Sequence, residues 1–218
     1  MENKQTKIKI CGLQDANSAI VAADAGADFL GFNFVLNSKR RVNPEQCIGI
    51  IDEYREKKNP DRNPYVVGLF RNQAVGFVND ISQSIGLDYI QLCGNEDQEY
   101  LSKIKLPIFK QVWVKPNMST TDVDLLVSPF LDNGYGIVLD SYSKGSLGGS
   151  GKTFDWNSAV GIANRKNILL AGGLKPENVQ SAIDKLAPWG VDVASGVETD
   201  GMKDPKRIRA FVKAVNNA

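Results

Sequence analysis

Eight short runs of β-branched and apolar residues alternate along the chain with longer amphipathic stretches, and no other feature restricts the fold as strongly. They lie at 7–11 (KIKIC), 29–34 (FLGFNF), 65–70 (YVVGLF), 89–93 (YIQLC), 108–114 (IFKQVWV), 136–140 (GIVLD), 168–171 (ILLA) and 190–195 (GVDVAS). Runs of this length read as strands, and longer amphipathic stretches separate them. One strand with its crossover averages about 26 residues, close to the smallest unit that brings a parallel strand beside its neighbour. Eight such units close a barrel. The chain therefore reads as one α/β domain over 1–218, a (β/α)8 TIM barrel. A six-stranded doubly wound sheet is the alternative if two runs are not strands. No linker divides the chain, and 57–64 (KKNPDRNP) reads as a polar loop before the third strand.

Proline marks the expected helix starts, because at the first helical position it loses only an N–H that would lack a partner anyway. Asn43-Pro44 opens the second helix, Lys175-Pro176-Glu177 the seventh and Asp204-Pro205 the last. In the last, Ile208, Phe211, Val212 and Val215 form one apolar stripe.

Composition enters by exclusion. The 218 residues include no histidine, so Ser-His-Asp and Cys-His nucleophile systems and His-ligated zinc are excluded. A general base must be a carboxylate, thiolate, lysine or tyrosine. With 26 basic and 25 acidic residues there is no net field for a polyanion or an anionic bilayer, so neither nucleic acid nor membrane is an expected partner. Cys11, Cys47 and Cys93 suggest neither a disulfide framework nor a metal site, and the absence of an apolar leader points to the reducing cytoplasm. Cys47, in an isoleucine-rich helix, reads as packing.

Glycines follow the strands on the face where barrels of this kind place their chemistry: Gly12, Gly94, Gly172-Gly173 and Gly196. Each alone is readable as a simple turn. The pair of glycine sites after strands seven and eight favours phosphate binding, since exposed backbone N–H groups can approach phosphate oxygens closely.

In order along the chain stand KICGL at 9–13, GADFLGFNF with SKR at 26–40, VGLFRN at 67–72, IQLCGNE at 90–96, VLD at 138–140, GGSGKTFDW at 148–156, LAGGLKPENV at 170–179 and VDVASGVETDGMKD at 191–204. This ordered set resembles phosphoribosylanthranilate isomerase of tryptophan biosynthesis across nearly the whole chain. Single fragments such as AGGL are weak; the set is specific. The resemblance implies an Amadori rearrangement of N-(5′-phosphoribosyl)anthranilate to 1-(2-carboxyphenylamino)-1-deoxyribulose 5-phosphate, with no metal and no cofactor. It implies a small-molecule substrate and a monomer or homodimer.

By the same resemblance Cys11 is the base that removes the C2′ proton and Asp140 the acid that protonates the ring oxygen. Read alone, Cys11 is a small buried residue at a strand end and Asp140 a loop cap. A catalytic Cys11 needs a cation nearby to favour its thiolate, and a catalytic Asp140 needs burial or a neighbouring anion to keep its proton. Arg40 corresponds to the arginine that meets the anthranilate carboxylate, with Arg41 competing and a solvated basic loop the plain alternative. Gly172, Gly173, Ser195 and Gly196 correspond to the phosphate site, with 148–151 a candidate lid; Lys152, Phe154 and Trp156 receive no role. One departure stands out: where the family reads QLHG, this chain reads Gln91-Leu92-Cys93-Gly94, so a thiol replaces a substrate-positioning imidazole.

Strand parity adds an expectation free of the family. If Cys11 faces inward, so does Lys9, and strand eight offers Asp192 as its partner inside the barrel. Asp192 is also a candidate for positioning the substrate. The alternative has Lys9 running out at the lower end. Two other functions compete: a phosphate-binding barrel enzyme acting on another phosphoribosyl or indole-glycerol substrate, and a non-catalytic phosphosugar-binding barrel. The first would call for an aspartate at the end of strand one, where Cys11 stands, or a lysine at a strand end, where Lys110 lies mid-strand.

Overall fold

A computed structural model describes residues 5–142 and 153–218. All eight runs form strands: β1 (Lys7–Cys11), β2 (Phe29–Asn33), β3 (Tyr65–Phe70), β4 (Tyr89–Leu92), β5 (Ile108–Val114), β6 (Gly136–Ser141), β7 (Ile168–Leu170) and β8 (Gly190–Val193). They pair in parallel in sequence order, and β8 closes onto β1 with Lys9 opposite Asp192. A closed barrel leaves no place for the doubly wound alternative.

The helices are α1 (Ala16–Ala25), α2 (Pro44–Lys57), α3 (Val75–Ile85), α4 (Gln98–Ser102), α5 (Thr120–Leu131), α6 (Val179–Leu186) and α7 (Pro205–Asn216). Pro44 and Pro205 open α2 and α7 as expected, behind the capping side chains of Asn43 and Asp204. The start of α6 requires a correction. Pro176 lies in a preceding turn, Asn178 has non-helical backbone, and its side chain closes the turn by accepting from Lys175 N at 2.8 Å. The stripe Ile208, Phe211, Val212 and Val215 is buried. Between β6 and β7 the described residues form only a 3-10 turn, Trp156–Ala159, which ends where the Val160 backbone turns extended (φ −62, ψ 129).

Side-chain alternation sorts two cores. One packs between strands and helices. The other fills the barrel with Cys11, Phe29, Val67, Leu69, Cys93, Phe109, Val138, Leu169 and Ala171. At the lower end Phe29, Tyr65, Tyr89, Phe109 and Trp189 lie ring against ring, with centroids 5.2–6.3 Å apart. These aromatics plug the barrel floor, so the interior opens only at the upper end, where the strands finish. An antiparallel pair, β9 (Glu198–Thr199) and β10 (Met202–Lys203), stands above β8. Its Asp200-Gly201 turn, with both φ positive, is the Asp-Gly hairpin signal, which the strand count passed over.

Candidate active site

The upper mouth opens into a cavity lined by Cys11, Asp140, Arg40, Cys93, Asp192 and Ser195 among others. Inward parity on β1, β6 and β8 supplies Cys11, Asp140 and Asp192, and the loops after β2, β4 and β8 supply Arg40, Cys93 and Ser195.

At the base of this group Lys9 is fully buried and its ammonium lies 3.0 Å from Asp192 Oδ1. The pair expected from parity is present, and the aromatic floor below it closes the route by which Lys9 would run out. Burial works against the Lys9 charge, but Asp192 and then Cys11 outweigh it and hold the group protonated, above the ordinary lysine range. Cys11 sits one layer above. Burial pushes its thiol up, and Lys9 pulls in the opposite direction without fully offsetting it. The cation that the sequence called for is in place, yet burial outweighs it and favours the proton on sulfur.

Asp140 meets its own requirement. Burial first, and repulsion from Asp192 second, push its carboxyl up to about 6. Two donors work against this rise: Gln111 Nε2 to Oδ2 and the Ser141 backbone N–H to Oδ1, both at 2.7 Å.

Arg40 is turned inward and buried while Arg41 is exposed, which separates the two candidates. The loop after β2 imposes this difference. Asn33 binds the Val35 N–H and the Ser38 hydroxyl, and Ser38 accepts from Arg40 N. The guanidinium already makes one two-pronged contact, from Nε at 2.6 Å and Nη2 at 2.8 Å to the carboxylate of Glu198. Lys203 reaches the same carboxylate at 2.6 Å and the Ala194 carbonyl at 2.9 Å. Burial opposes the Glu198 charge, but the Arg40 hydrogen bonds and the Lys203 charge hold it below the usual glutamate range. Arg40 and Lys203 thus place two cations around this one carboxylate. Sequence reading missed Glu198 and Lys203, although both stand inside the 191–204 motif.

Gly172 and Gly173, both with positive φ, line the cavity beside Ser195. Gly196 does not line it. A Cβ there would come within 1.9 Å of the Leu174 carbonyl oxygen, so this glycine serves the close approach of the loops after β7 and β8. The candidate lid at 148–151 and Lys152 lie outside the described residues. Phe154 and Trp156 pack on the outer core instead of the cavity.

Cys93 faces the cavity, and burial pushes its thiol up to about 12, so it stands there as a neutral group. Gln91 Nε2 approaches its sulfur at 3.5 Å. Because the side chain borders open space, Cys93→His is expected to fold and to lower the Michaelis constant for a substrate with hydroxyls to bind. Steady-state kinetics check this. If Cys93→Ala abolished turnover in a folded protein, a single catalytic thiol would be the wrong reading. Cys47 is fully buried in α2, as expected of a packing residue. Lys110 points away from the cavity and pairs with Glu96 at 2.8 Å behind the end of β4, so β5 supplies no lysine to the mouth.

The profile described as N-(5′phosphoribosyl)anthranilate (PRA) isomerase matches residues 8–214. A protein of Dehalococcoides mccartyi named N-(5′-phosphoribosyl)anthranilate isomerase is 39% identical over 218 residues, covering 97% of this chain and 96% of its own. The crystal structure of phosphoribosyl anthranilate isomerase from Thermotoga maritima superposes with a TM-score of 0.84 at 34% identity, covering 98% of this chain and 100% of its own. A phosphoribosyl anthranilate isomerase crystallised with reduced 1-(o-carboxyphenylamino)-1-deoxyribulose 5-phosphate superposes with a TM-score of 0.80 at 31% identity, covering 98% and 100%.

Proposed function

The chain belongs to the N-(5′-phosphoribosyl)anthranilate isomerase family, and from that premise we propose how its own residues carry out the family's reaction. The reaction is the Amadori rearrangement of N-(5′-phosphoribosyl)anthranilate to 1-(2-carboxyphenylamino)-1-deoxyribulose 5-phosphate, a step of tryptophan biosynthesis. The observation that carries the assignment of roles is the pairing in one cavity of a thiol beside a buried cation with a carboxyl pushed up to about 6.

Protonated Asp140 gives its proton to the ribose ring oxygen as the C1′–O4′ bond breaks. The lone pair of the anthranilate nitrogen moves in to form the iminium. The Cys11 thiolate then removes the C2′ proton, and the C2′–H electrons become the double bond of an enolamine that tautomerises to the ketone. One acid and one base complete the rearrangement. Lys9 lowers the cost of the Cys11 thiolate, and burial together with the nearby Asp192 raises the proton affinity of Asp140. Gly172, Gly173 and Ser195 bind the 5′-phosphate through backbone N–H groups and a hydroxyl, with Gly196 letting their loops meet. Arg40 keeps one edge of its guanidinium on Glu198 and offers the other, Nη1 with Nη2, to the anthranilate carboxylate. Three free, buried cysteines support the reducing cytoplasm as the compartment. Among the described residues no helix is long and apolar enough to cross a membrane.

Mixing purified protein with freshly formed phosphoribosylanthranilate is expected to abolish the anthranilate fluorescence with time. Binding without this loss would favour the non-catalytic phosphosugar reading. The pH profile carries more information. With Asp140 near 6 and Cys11 raised above its ordinary value, the productive form, proton on Asp140 and charge on Cys11, is the minor partner of a proton exchange. Its share is constant between the two pKa values. The second-order rate constant kcat/KM is therefore expected to be flat from pH 6 up to the raised Cys11 pKa, and to fall on the acid side as Asp140 and Cys11 both hold protons.

A further inference from the structure

We infer that Gln111 is a positioning residue for the general acid: its amide fixes the Asp140 carboxyl in one orientation and makes it a stronger acid. The inference rests on the role proposed above for Asp140 and adds to it a residue from the neighbouring strand.

Gln111 lies on β5 two residues after Phe109, which is in the barrel core, so its side chain also points inward. β5 pairs with β6 such that Gln111 stands opposite Val138 and one inward position below Asp140. From there Nε2 donates to Asp140 Oδ2, while the fixed backbone N–H of Ser141 donates to Oδ1. With an acceptor site taken on each oxygen, the carboxyl cannot rotate without breaking a hydrogen bond. Each oxygen keeps one lone pair free of these two contacts, and the proton to be delivered is held there.

The other end of the amide shows what orients it. Gln111 is buried, and its Oε1 has no hydrogen-bond partner among the described residues. A buried carbonyl without a partner is unfavourable. The amide is therefore turned by its contact with the carboxylate and not by anything on its far side. A donor to a carboxylate binds the ionised form more strongly than the protonated one, so this hydrogen bond strengthens as Asp140 loses its proton. It stabilises what proton transfer produces, which is the differential binding that catalysis requires.

The other groups facing Asp140 act by charge. Asp192 on β8 raises its pKa and Lys9 on β1 lowers it; the thiols of Cys11 and Cys93 share the cavity, and β7 presents only Leu169 and Ala171. Removing the Gln111 donor leaves these opposing charges in place, so its effect can be isolated.

The test is the pH dependence of kcat/KM in Gln111→Met, which keeps the shape and removes the donor, and in Gln111→Glu, which sets a second carboxyl against the first. The acid limb is expected to move to higher pH by about one unit in Gln111→Met, the effect of one hydrogen bond to a charged group, and further in Gln111→Glu. A residue that merely filled space would lower the rate at every pH and leave the limb where it was. An unmoved limb in either folded variant overturns the inference, and Gln111→Glu decides the matter if Gln111→Met does not fold. Wild-type turnover and the Asp140→Asn profile test the underlying reading separately. If the limb survives Asp140→Asn, the acid assignment fails; if the limb belongs to Asp140 but ignores position 111, the inference about Gln111 alone fails.

Discussion

Cys11→Ser and Asp140→Asn each lower the turnover number at least about a hundredfold, the size typical of losing a general acid or base, while the Michaelis constant changes far less. The expectation follows from what the two side chains do in place. Serine cannot ionise at any accessible pH, so the stabilisation that Lys9 gives an anion at position 11 has nothing to act on. Asparagine can accept from the Ser141 N–H and, with the Gln111 amide flipped, donate to its otherwise unpartnered Oε1, but it has no acidic proton to give. Stability distinguishes lost chemistry from lost folding. Because burial raises the Asp140 carboxyl above its unfolded value, to about 6, its contribution to stability is full below the unfolded pKa and is lost as pH rises through 6. Asparagine carries no charge to bury, so at pH 7 to 8 Asp140→Asn is expected to melt no lower than wild type. Near wild-type turnover in either variant would remove that residue from its role.

Breaking the buried pair has the largest expected effect on the fold. Lys9→Met leaves Asp192 charged without its cation, and Asp192→Leu leaves Lys9 charged in a space with no access to water from below. Each is expected to cost about 3–5 kcal/mol, the range for removing one member of a buried ion pair. The double variant is expected to recover most of this loss, since two apolar side chains of similar volume need no mutual compensation. It should nevertheless turn over slowly, because Cys11 and Asp140 have both lost the charge that tuned them. Denaturant unfolding of the two single variants and the double variant measures this directly. A cost under about 1 kcal/mol for Lys9→Met would mean that Asp192 is satisfied by other partners.

The strands were legible because each is a short apolar run and the runs alternate with longer amphipathic stretches. Parity alone carried the Lys9–Asp192 pair, since period-two alternation and barrel closure determine which side chains meet. What was not legible depends on contacts between distant segments. Arg40 could be singled out from SKRR, but nothing local reveals that its guanidinium is already engaged by Glu198, 158 residues away. Lys203 is drawn in by the hairpin fold-back at Asp200-Gly201, a signal present in the sequence but masked by the count of longer runs. Gln111 lies in a run read only as a strand. Its parity was available; its partner Asp140 became visible only when β5 and β6 were set in register. Proline at 176 misled about α6 because it fits the first turn residue as well as the first helical one, and Asn178 decided between them.

The aromatic floor has a consequence for how the molecule opens. Beneath Lys9 the rings of Phe29, Tyr89 and Phe109 exclude solvent, and above it Cys11 and the paired Asp192 cover the amine. The amine is also held protonated, so it lacks the free electron pair that acylating reagents require. Local fraying at the mouth or along the helices exposes surface lysines but leaves this one untouched. Lys9 becomes reactive only when β8 parts from β1 and the barrel comes undone. Its chemical modification therefore runs as a clock for global unfolding, slower than that of its surface counterparts by the population of the fully open state.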